Sequence, residues 1–275
     1  DMRQTFAHGA QAFWCAGLRE TDTVVHCLNY CMWAGGYTDH RCLERAGAAV
    51  VPFGVGNTDE LVSLQEWLPF SAISCTPSYI SLLMERLDET SRALWAKHLR
   101  LVLVGGEPGG SEAALRERVH DSFGARIVNA NYGLAEVLSN FASECEQGDG
   151  MHFHGHGAIW IELLDESTGA TLPLRTGSQG TLLLTHVDRR AQPLVRYNTH
   201  DTLEVLSTEP CACGRSTFRF HLRGRADDMF VVRGINVFPD SIRKALAEHE
   251  PSLDEFAVLL PDTPTFDAIP LAVER

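Results

Sequence analysis

The hydrophobic pattern of the chain has two parts. In the first part, short apolar runs alternate with amphipathic stretches whose apolar residues repeat at helical spacing. The apolar runs predict buried strands at residues 23–28, 49–52, 71–75, 101–104 and 126–129. The amphipathic stretches predict helices near residues 35–46, 58–68, 77–87 and 111–122. Because strands that alternate with helices usually pair in parallel, this part predicts an α/β fold with a parallel sheet flanked by helices.

From about residue 151 the period of the pattern becomes two. Runs such as 158–163 and 180–185 alternate apolar and polar residues and are separated by Gly, Pro and Asp turns. This pattern predicts an antiparallel β subdomain. After Arg225 the predicted order is strand, helix and strand, so a small α+β C-terminal domain starts there and stops unfinished at Arg275.

The domain boundary is expected in the charged segment 223–228, which carries a glycine. We therefore predict a larger domain over residues 1–226, with an α/β part at 1–140 and a β-rich part at 151–226. Residues 227–275 are predicted to be a hinge and an incomplete α+β domain.

The composition of the chain argues against nucleic-acid and membrane partners. The chain has 23 basic and 36 acidic residues, a formal net charge of -13 and no run of Lys or Arg. Because nucleic-acid binding needs clustered cations, no nucleic-acid partner is expected. No stretch approaches the roughly 18 consecutive apolar residues of a membrane span. Residues 1–4 also lack the features of a signal peptide, so a cytoplasmic protein with no membrane partner is expected.

Three loops that follow predicted strands are candidate ligand sites, because ligands of open α/β sheets gather beyond the carboxyl ends of the strands. These loops are residues 76–79, 105–110 and 131–136. A Gly-rich loop such as 105–110 lets the backbone approach a flat ring, on which a neighbouring aromatic side chain can stack. The alternative interpretation of 105–110 is a turn that leads into a helix capped by Ser111.

These loops and two later charged segments occur in an order that resembles the phenylacetate-CoA ligase branch of the adenylate-forming enzymes. The likeness runs along nearly the whole chain. The matching stretches are Gly-Glu-Pro at 106–108, Tyr-Gly-Leu-Ala-Glu at 132–136, Ala-Ser-Glu-Cys at 142–145, Arg-Tyr at 196–197 with Asp201, and 224–239, which is the most specific of them.

The resemblance implies that the strand-end loops of the first half bind the nucleotide, with Tyr132 stacked on the adenine. The nucleotide-binding residues implied there are Gly106, Glu107, Pro108, Asn131, Tyr132 and Gly133. It also implies a catalytic role for Glu136, which would help to hold Mg²⁺.

In the second half, the resemblance implies that Asp201 binds the ribose hydroxyls, with Arg225 nearby. A carboxylate can accept two hydrogen bonds from such a diol. Asp227 is similar to the hinge about which the small domain rotates between the two half-reactions. Gly234 and Asn236 would contribute to the second half-reaction.

The reaction implied is attack of a carboxylate on the α-phosphate of ATP, followed by transfer of the acyl group to coenzyme A. Such chemistry needs positioning and charge neutralisation more than a protein nucleophile. The cofactors implied are ATP or AMP, Mg²⁺ and coenzyme A. The family's upstream phosphate loop and its lysine near the end of the small domain are absent from residues 1–275, where the lysines are Lys97 and Lys244. This sequence alone is therefore expected to bind nucleotide weakly and turn over poorly.

The family places the acid pocket between the segments 29–36 and 76–79. Tyr30, Trp33 and Tyr79 offer apolar faces for an aromatic carboxylic acid, the substrate partner that we expect. The alternative is that these three side chains belong to the core at a strand–helix junction.

Cysteine usage suggests a possible structural metal. Cys15, Cys27, Cys31, Cys42 and Cys75 lie among apolar residues and are expected in the core. The other three thiols, together with one imidazole, could make a closed tetrahedral Zn²⁺ site. Its ligands would be Cys145, His152, Cys211 and Cys213, with His154 and His156 as alternatives to His152. The other interpretation is reduced thiols in a surface turn.

Three functions fit the sequence. The first is an ATP-dependent ligase of an aromatic or arylacetic acid and coenzyme A. The second is an adenylating relative that passes the acyl group to another acceptor. The third is a zinc-stabilised binding module without catalysis. A homodimer is compatible with each of them.

Overall fold

The computed structural model describes residues 2–228, 230–232, 235–249, 256–259 and 270–273. Its helices are α1 (Met2–Cys15), α2 (Ala34–Arg45), α3 (Thr58–Leu64), α4 (Pro77–Arg86), α5 (Glu89–His98), α6 (Ala113–Phe123) and α7 (Pro239–His249). Its strands are β1 (Thr23–His26), β2 (Ala49–Val51), β3 (Ala72–Cys75), β4 (Leu101–Gly105), β5 (Arg126–Leu134), β6 (Leu138–Glu144), β7 (Met151–Phe153), β8 (Ile159–Leu164), β9 (Thr171–Leu172), β10 (Gln179–His186), β11 (Tyr197–Ser207), β12 (Arg219–Arg225), β13 (Phe230–Val232), β14 (Ile235–Val237), β15 (Phe256–Val258) and β16 (Leu271–Val273).

The chain forms two compact units. The first comprises Asp1–Trp160, Thr185–Val195 and Thr208–Arg219, and the second comprises Ile161–Leu184, Arg196–Ser207 and Phe220–Arg275. These units are built from discontinuous stretches of chain, whereas the predicted domains divide it once, after residue 226. Compact units differ from independently folding domains, so the division into 1–226 and 227–275 stays a prediction.

The first unit contains the predicted parallel sheet. The strands β2, β1, β3, β4 and β5 are neighbours in this order and pair in parallel. The strands β6 and β7 continue the sheet with antiparallel pairing. Helices cover the parallel strands, which confirms the α/β prediction for this part of the chain.

Alternation along the buried strands supplies two apolar clusters, as expected for a sheet covered on both faces. Along β4, Val102 and Val104 contribute to a cluster that includes Trp95 of α5 and Val119 of α6. Leu101 and Leu103 contribute to a second cluster with Phe13 of α1 and Leu43 of α2.

The second unit is mainly antiparallel. It contains most of the strands β12, β11, β10, β8 and β9, which are neighbours in this order. The pairs β10–β11 and β8–β9 are antiparallel. The hairpins β13–β14 and β15–β16 and the helix α7 belong to the same unit. The predicted antiparallel β subdomain and the beginning of an α+β region are thereby confirmed.

No helix among the described residues is both long enough and apolar enough to cross a membrane.

Candidate active site and metal centre

A cavity of about 560 Å³ lies in the first unit, next to residues that directly follow β1 and β3. Its lining is Cys27, Leu28, Asn29, Trp33, Val55, Thr76, Ser78, Tyr79 and Leu82. Trp33 and Tyr79, which were predicted to bind the acid, are both in this lining. Tyr30 is not, because its hydroxyl turns to His40 and lies 2.9 Å from Nδ1 of that ring. The predicted pocket therefore has two of its three aromatic residues together.

The start of α4 forms the polar edge of the cavity. Oγ1 of Thr76 accepts a hydrogen bond from the backbone N–H of Tyr79 at 3.3 Å. The Glu107 carboxylate accepts one from the backbone N–H of Ser78 at 2.5 Å. Two of the N–H groups that the first turn of a helix leaves free are therefore occupied. The second contact ties the Gly-Glu-Pro loop to the cavity.

Gly106 lets this loop turn back beside the cavity wall. Its φ is +84°, in the left-handed region that favours glycine. A Cβ on Gly106 would lie 3.5 Å from the ring of Trp33. The loop backbone therefore lies close to the Trp33 ring in the cavity wall. Binding of a planar group beside this loop stays a prediction.

The Tyr132–Glu136 segment forms the end of β5 and the first part of the turn to β6. The Tyr132 ring packs edge-on against Phe141 with 5.0 Å between centroids, and its side chain is buried. A Cβ on Gly133 would approach the carbonyl oxygen of Ser139 to 2.1 Å, so only glycine allows the two strands this close. Glu136 is exposed in the turn, and its backbone carbonyl accepts a hydrogen bond from Nη1 of Arg189 at 2.6 Å.

In the second unit, Arg225 brings three of the predicted residues together. Its guanidinium donates to both carboxylate oxygens of Asp227, from Nε at 2.9 Å and from Nη2 at 2.6 Å. Nη1 of Arg225 lies 3.7 Å from Oδ1 of Asp201. The hydrogen bonds from Arg225 lower the pKa of Asp227, against a small opposing effect of burial. Asp201, the predicted ribose ligand, and Asp227, the predicted hinge residue, therefore both lie next to the Arg225 guanidinium.

Asn236 lies in β14, and its side chain is outside the described residues, as is all of Gly234. Their predicted roles in the second half-reaction stay predictions.

The predicted zinc ligands meet in the first unit. One ligand atom from each of Cys145, His152, Cys211 and Cys213 lies within 4.8 Å of the others. The sulfurs of Cys145 and Cys211 are 3.9 Å apart, and the sulfur of Cys213 is 3.5 Å from Nε2 of His152. A tetrahedron with metal–sulfur bonds of about 2.3 Å has edges of about 3.8 Å, so these separations fit a zinc ion.

Burial raises the pKa of the Cys145 thiol to about 12, so metal binding there would have to release its proton. Two other groups of the cluster are shifted toward the form that binds a metal. Burial lowers the pKa of His152 to about 4, with a further contribution from Arg215, so the imidazole is neutral and can act as a ligand. Nδ1 of His152 lies 3.2 Å from the Thr217 hydroxyl, which leaves Nε2 directed at the cluster. Burial opposes ionisation of Cys213, but hydrogen bonds from Arg215 outweigh it and lower the pKa of the thiol.

The alternatives to His152 are placed elsewhere. Nε2 of His154 lies 3.0 Å from the Ser143 hydroxyl, and the His156 ring packs on Phe153 with 4.7 Å between centroids. Among the described residues the four-ligand group contains His152.

The core prediction for the cysteines is confirmed for four of five and wrong for one. Cys15, Cys27, Cys42 and Cys75 are buried, but Cys31 is exposed. Cys31 lies in the irregular segment between β1 and α2, where its backbone N–H donates to the Asn29 side chain at 2.8 Å. No strand or helix at that point turns its side chain inward.

Asp39 of α2 is a buried carboxyl group, 1% exposed, that was not predicted from the sequence. Oδ2 of Asp39 accepts a hydrogen bond from Nδ2 of Asn131 at 2.5 Å. Burial raises the pKa of Asp39 to about 8, although the Asn131 bond opposes this shift. The signal was present, because Asp39 precedes Cys42 and Leu43 by three and four residues and so shares their buried face.

No protein-family model matches the chain. Two curated relatives are phenylacetate-coenzyme A ligases. That of Thermus thermophilus is 32% identical over 274 residues, which covers 96% of this chain and 59% of the relative. That of Pseudomonas putida is 30% identical over 269 residues, with the same two coverages of 96% and 59%. The chain thus spans about three fifths of the length of the curated relatives that it matches.

Comparison with solved structures shows that the chain is similar in fold to CoA ligases. A crystal structure of 2-hydroxyisobutyryl-CoA ligase with its acyl-AMP superposes with a TM-score of 0.85 at 27% identity, covering 99% of this chain and 58% of that one. An anthranilate CoA ligase with anthranoyl-AMP superposes at 0.65 and 22% identity, covering 94% and 50%, which shows the fold alone. The resemblance predicted from the sequence is confirmed: along nearly its whole length this chain is a relative of the phenylacetate-CoA ligases, and it has the fold of adenylate-forming CoA ligases.

Proposed function

We propose that this protein activates a carboxylic acid with ATP, forms an acyl-adenylate and transfers the acyl group to coenzyme A. The observation that carries the proposal is the 32% identity to a phenylacetate-coenzyme A ligase across 96% of the chain. The cavity beside β1 and β3 and the Gly-Glu-Pro loop support it, because they lie where ligands of α/β sheets gather.

The cavity suits an acid with an apolar body. Trp33, Tyr79, Leu82 and Val55 supply apolar walls, and the start of α4 supplies a polar edge. We propose an aromatic or arylacetic acid as the substrate. The loop at Gly106 and the ring of Tyr132 would hold the adenine, and Asp201 would hold the ribose.

Mg²⁺ would be held by Glu136. The Glu136 side chain is exposed, and a hard cation prefers such a carboxylate together with phosphate oxygens of its substrate. When bound, the ion would neutralise charge on the phosphates. Glu136 would fix its position relative to the turn between β5 and β6.

Release of AMP tests the complete reaction. In protein expressed from the complete gene, AMP formation from ATP should require both an acid and coenzyme A. Asp201→Ala should lower kcat/KM for ATP by roughly tenfold or more, because a hydrogen bond to a charged group contributes about 1.5–3 kcal/mol. Asp165→Ala is a matched control, since Asp165 accepts hydrogen bonds from Ser167 in an exposed turn of the same unit.

AMP formation that needs the acid but ignores coenzyme A would indicate a different acyl acceptor. Equal effects of the Asp201 and Asp165 substitutions would contradict the ribose role.

A second proposal concerns structural zinc, bound by Cys145, His152, Cys211 and Cys213. Purified protein should retain about one Zn²⁺ per chain after dialysis, as measured by atomic emission. Cys213→Ser should lower that content strongly, while Cys75→Ser, a buried thiol outside the cluster, should leave it unchanged. Wild-type protein without zinc, prepared without chelators, would contradict this proposal.

The cytoplasmic location and a homodimer stay predictions. Cell fractionation and the molar mass in solution would check them.

A further inference from the structure

Arg189 binds the turn that carries Glu136, the residue proposed to hold Mg²⁺. Its Nη1 donates to the backbone carbonyl of Glu136 at 2.6 Å and to that of Val137 at 2.9 Å. Its Nε donates to the carbonyl of Ala191 at 3.1 Å. One half-buried guanidinium thus joins the turn between β5 and β6 to the loop between β10 and β11.

His186 adds a second donor to the same turn. The backbone N–H of Leu194 donates to Nδ1 of His186 at 3.0 Å, so the proton of this ring is on Nε2. Nε2 lies 3.0 Å from the carbonyl oxygen of Val137 and therefore donates to it. Nε2 of His186 and Nη1 of Arg189 are 3.2 Å apart and converge on this oxygen. The imidazole and the guanidinium therefore fix the Val137 carbonyl together.

The turn is short and has its own backbone hydrogen bond. Leu134 pairs with Leu138 in the β5–β6 ladder, and the N–H of Val137 donates to the carbonyl of Leu134 at 3.1 Å. Ala135 and Glu136 are exposed at its tip. Because water could bind the carbonyl oxygen of an exposed residue, hydrogen-bond satisfaction alone does not require an arginine at Glu136. What the arginine adds is a fixed backbone direction there.

The Glu136 carboxylate makes no hydrogen bond or ion pair with the residues that the structure describes. An arginine beside a glutamate commonly pairs with its carboxylate. Here the guanidinium binds carbonyl oxygens instead, so the carboxylate stays available to a cation. With no side-chain partner in these ranges, the position of the carboxylate depends on the backbone at Glu136, which is the part that Arg189 holds.

We propose that Arg189 is a positioning residue of the ligase, which fixes the backbone of Glu136 and so holds its carboxylate ready for the Mg²⁺ that accompanies ATP. This inference rests on the proposed ligase function and on the proposed role of Glu136. Arg189 acts through the main chain, and the Glu136 carboxylate makes the contact with the ion. Loss of a residue that orients a metal ligand typically costs roughly 10–100-fold in metal affinity or activity.

The Mg²⁺ dependence of protein expressed from the complete gene tests this assignment. Exchange of labelled pyrophosphate into ATP is measured over a range of Mg²⁺ concentrations, with an acid that supports exchange. Arg189→Ala should raise the Mg²⁺ concentration for half-maximal exchange by roughly tenfold. Arg190→Ala is the matched control, because it removes the same charge from the next residue, which is exposed. It should leave that concentration unchanged.

Mn²⁺ binding measures the same effect without turnover. The electron paramagnetic resonance signal of free Mn²⁺ gives its Kd in the presence of a non-hydrolysable ATP analogue. Glu136→Gln and Arg189→Ala should each raise this Kd. In the Glu136→Gln background, Arg189→Ala should add little, because both changes remove the same interaction. Arg189→Lys keeps a donor for the carbonyls without the fork of a guanidinium, so its Kd should lie between those of wild type and Arg189→Ala.

Equal Mg²⁺ dependence of the Arg189→Ala and Arg190→Ala proteins would overturn the inference while the ligase function stands. An Arg189→Ala effect that is undiminished in Glu136→Gln protein would also overturn it, since Arg189 would then act independently of Glu136. If Arg189→Ala does not fold in thermal denaturation, Arg189→Lys decides, and a wild-type Kd in that variant would contradict the positioning role. Absence of exchange by wild-type protein with every acid would instead remove the proposed function itself.

Discussion

At Asp39 the folded chain binds a proton more tightly than the unfolded chain. Burial raises the pKa of Asp39 in the folded protein to about 8, whereas an unfolded Asp titrates near pH 4. Between these values the folded state holds more protons, so this group makes the free energy of unfolding fall as the pH rises from about 4 to about 8.

Asp39→Asn should remove this dependence. The free energy of unfolding of the variant, relative to wild type, should increase from pH 5 to pH 8 by at most about 1.4 kcal/mol per pH unit. Urea denaturation at the two pH values measures it.

Asp22→Asn is the matched control. The pKa of Asp22 is lowered by its hydrogen bonds from Arg100, Ser71 and Arg19, which together outweigh burial. Its contribution is present above the unfolded pKa and lost only in acid, so the difference from wild type should stay constant between pH 5 and pH 8. Parallel behaviour of the two variants would contradict the buried, proton-binding state of Asp39.

The motifs predicted which residues lie near the site, but they did not predict which way each side chain points. Trp33 and Tyr79 line the cavity as predicted, whereas Tyr30 turns to His40. The choice depends on the irregular path between β1 and α2, which has no periodicity to read. The exposure of Cys31 has the same cause.

At the scale of elements, the capped start of α4 links stability to the site. Thr76→Ala removes an N-cap hydrogen bond and should lower the free energy of unfolding by about 1 kcal/mol. Because Thr76 also lines the cavity, KM for the acid should rise as well. Thermal denaturation and acid titrations measure the two effects.

Asp88→Ala provides the comparison. Asp88 caps α5 by accepting from the backbone N–H of Ser91 at 2.8 Å, and it is absent from the cavity lining. Its loss should cost a similar amount of stability with no change in KM. An equal rise of KM in both variants would mean that Thr76 acts through general stability alone.

The sequence predicted many of the elements from their periodicity, but it missed the helices α1 and α5. The helix predicted at 111–122 is observed as α6, Ala113–Phe123, and the strand predicted at 101–104 is observed as β4. The helix α5 was missed because Trp95 is its single fully buried residue, so it shows no apolar stripe. A bulge in β5 was also missed, since register depends on pairing that one strand's sequence does not contain.

At the scale of the whole molecule, long-range contacts complete the candidate metal centre. Cys145 and Cys211 meet across 66 positions of sequence. The sequence suggested this group of ligands but left the histidine open among three. The 3.5 Å separation between Nε2 of His152 and the sulfur of Cys213, together with the Thr217 contact, favours His152, which is information that only the folded chain carries.

Formation of the acyl-adenylate is the first half-reaction of the proposed function. With the intact reading frame, labelled pyrophosphate should exchange into ATP when an acid that the cavity accepts is present, and exchange should stop when that acid is omitted. The panel should include aryl, arylacetic and small hydroxy acids. Acid-dependent exchange with at least one of them is the predicted result. No exchange with any acid, from folded protein that binds ATP, would contradict the claim that this relative of the phenylacetate-CoA ligases forms acyl-adenylates.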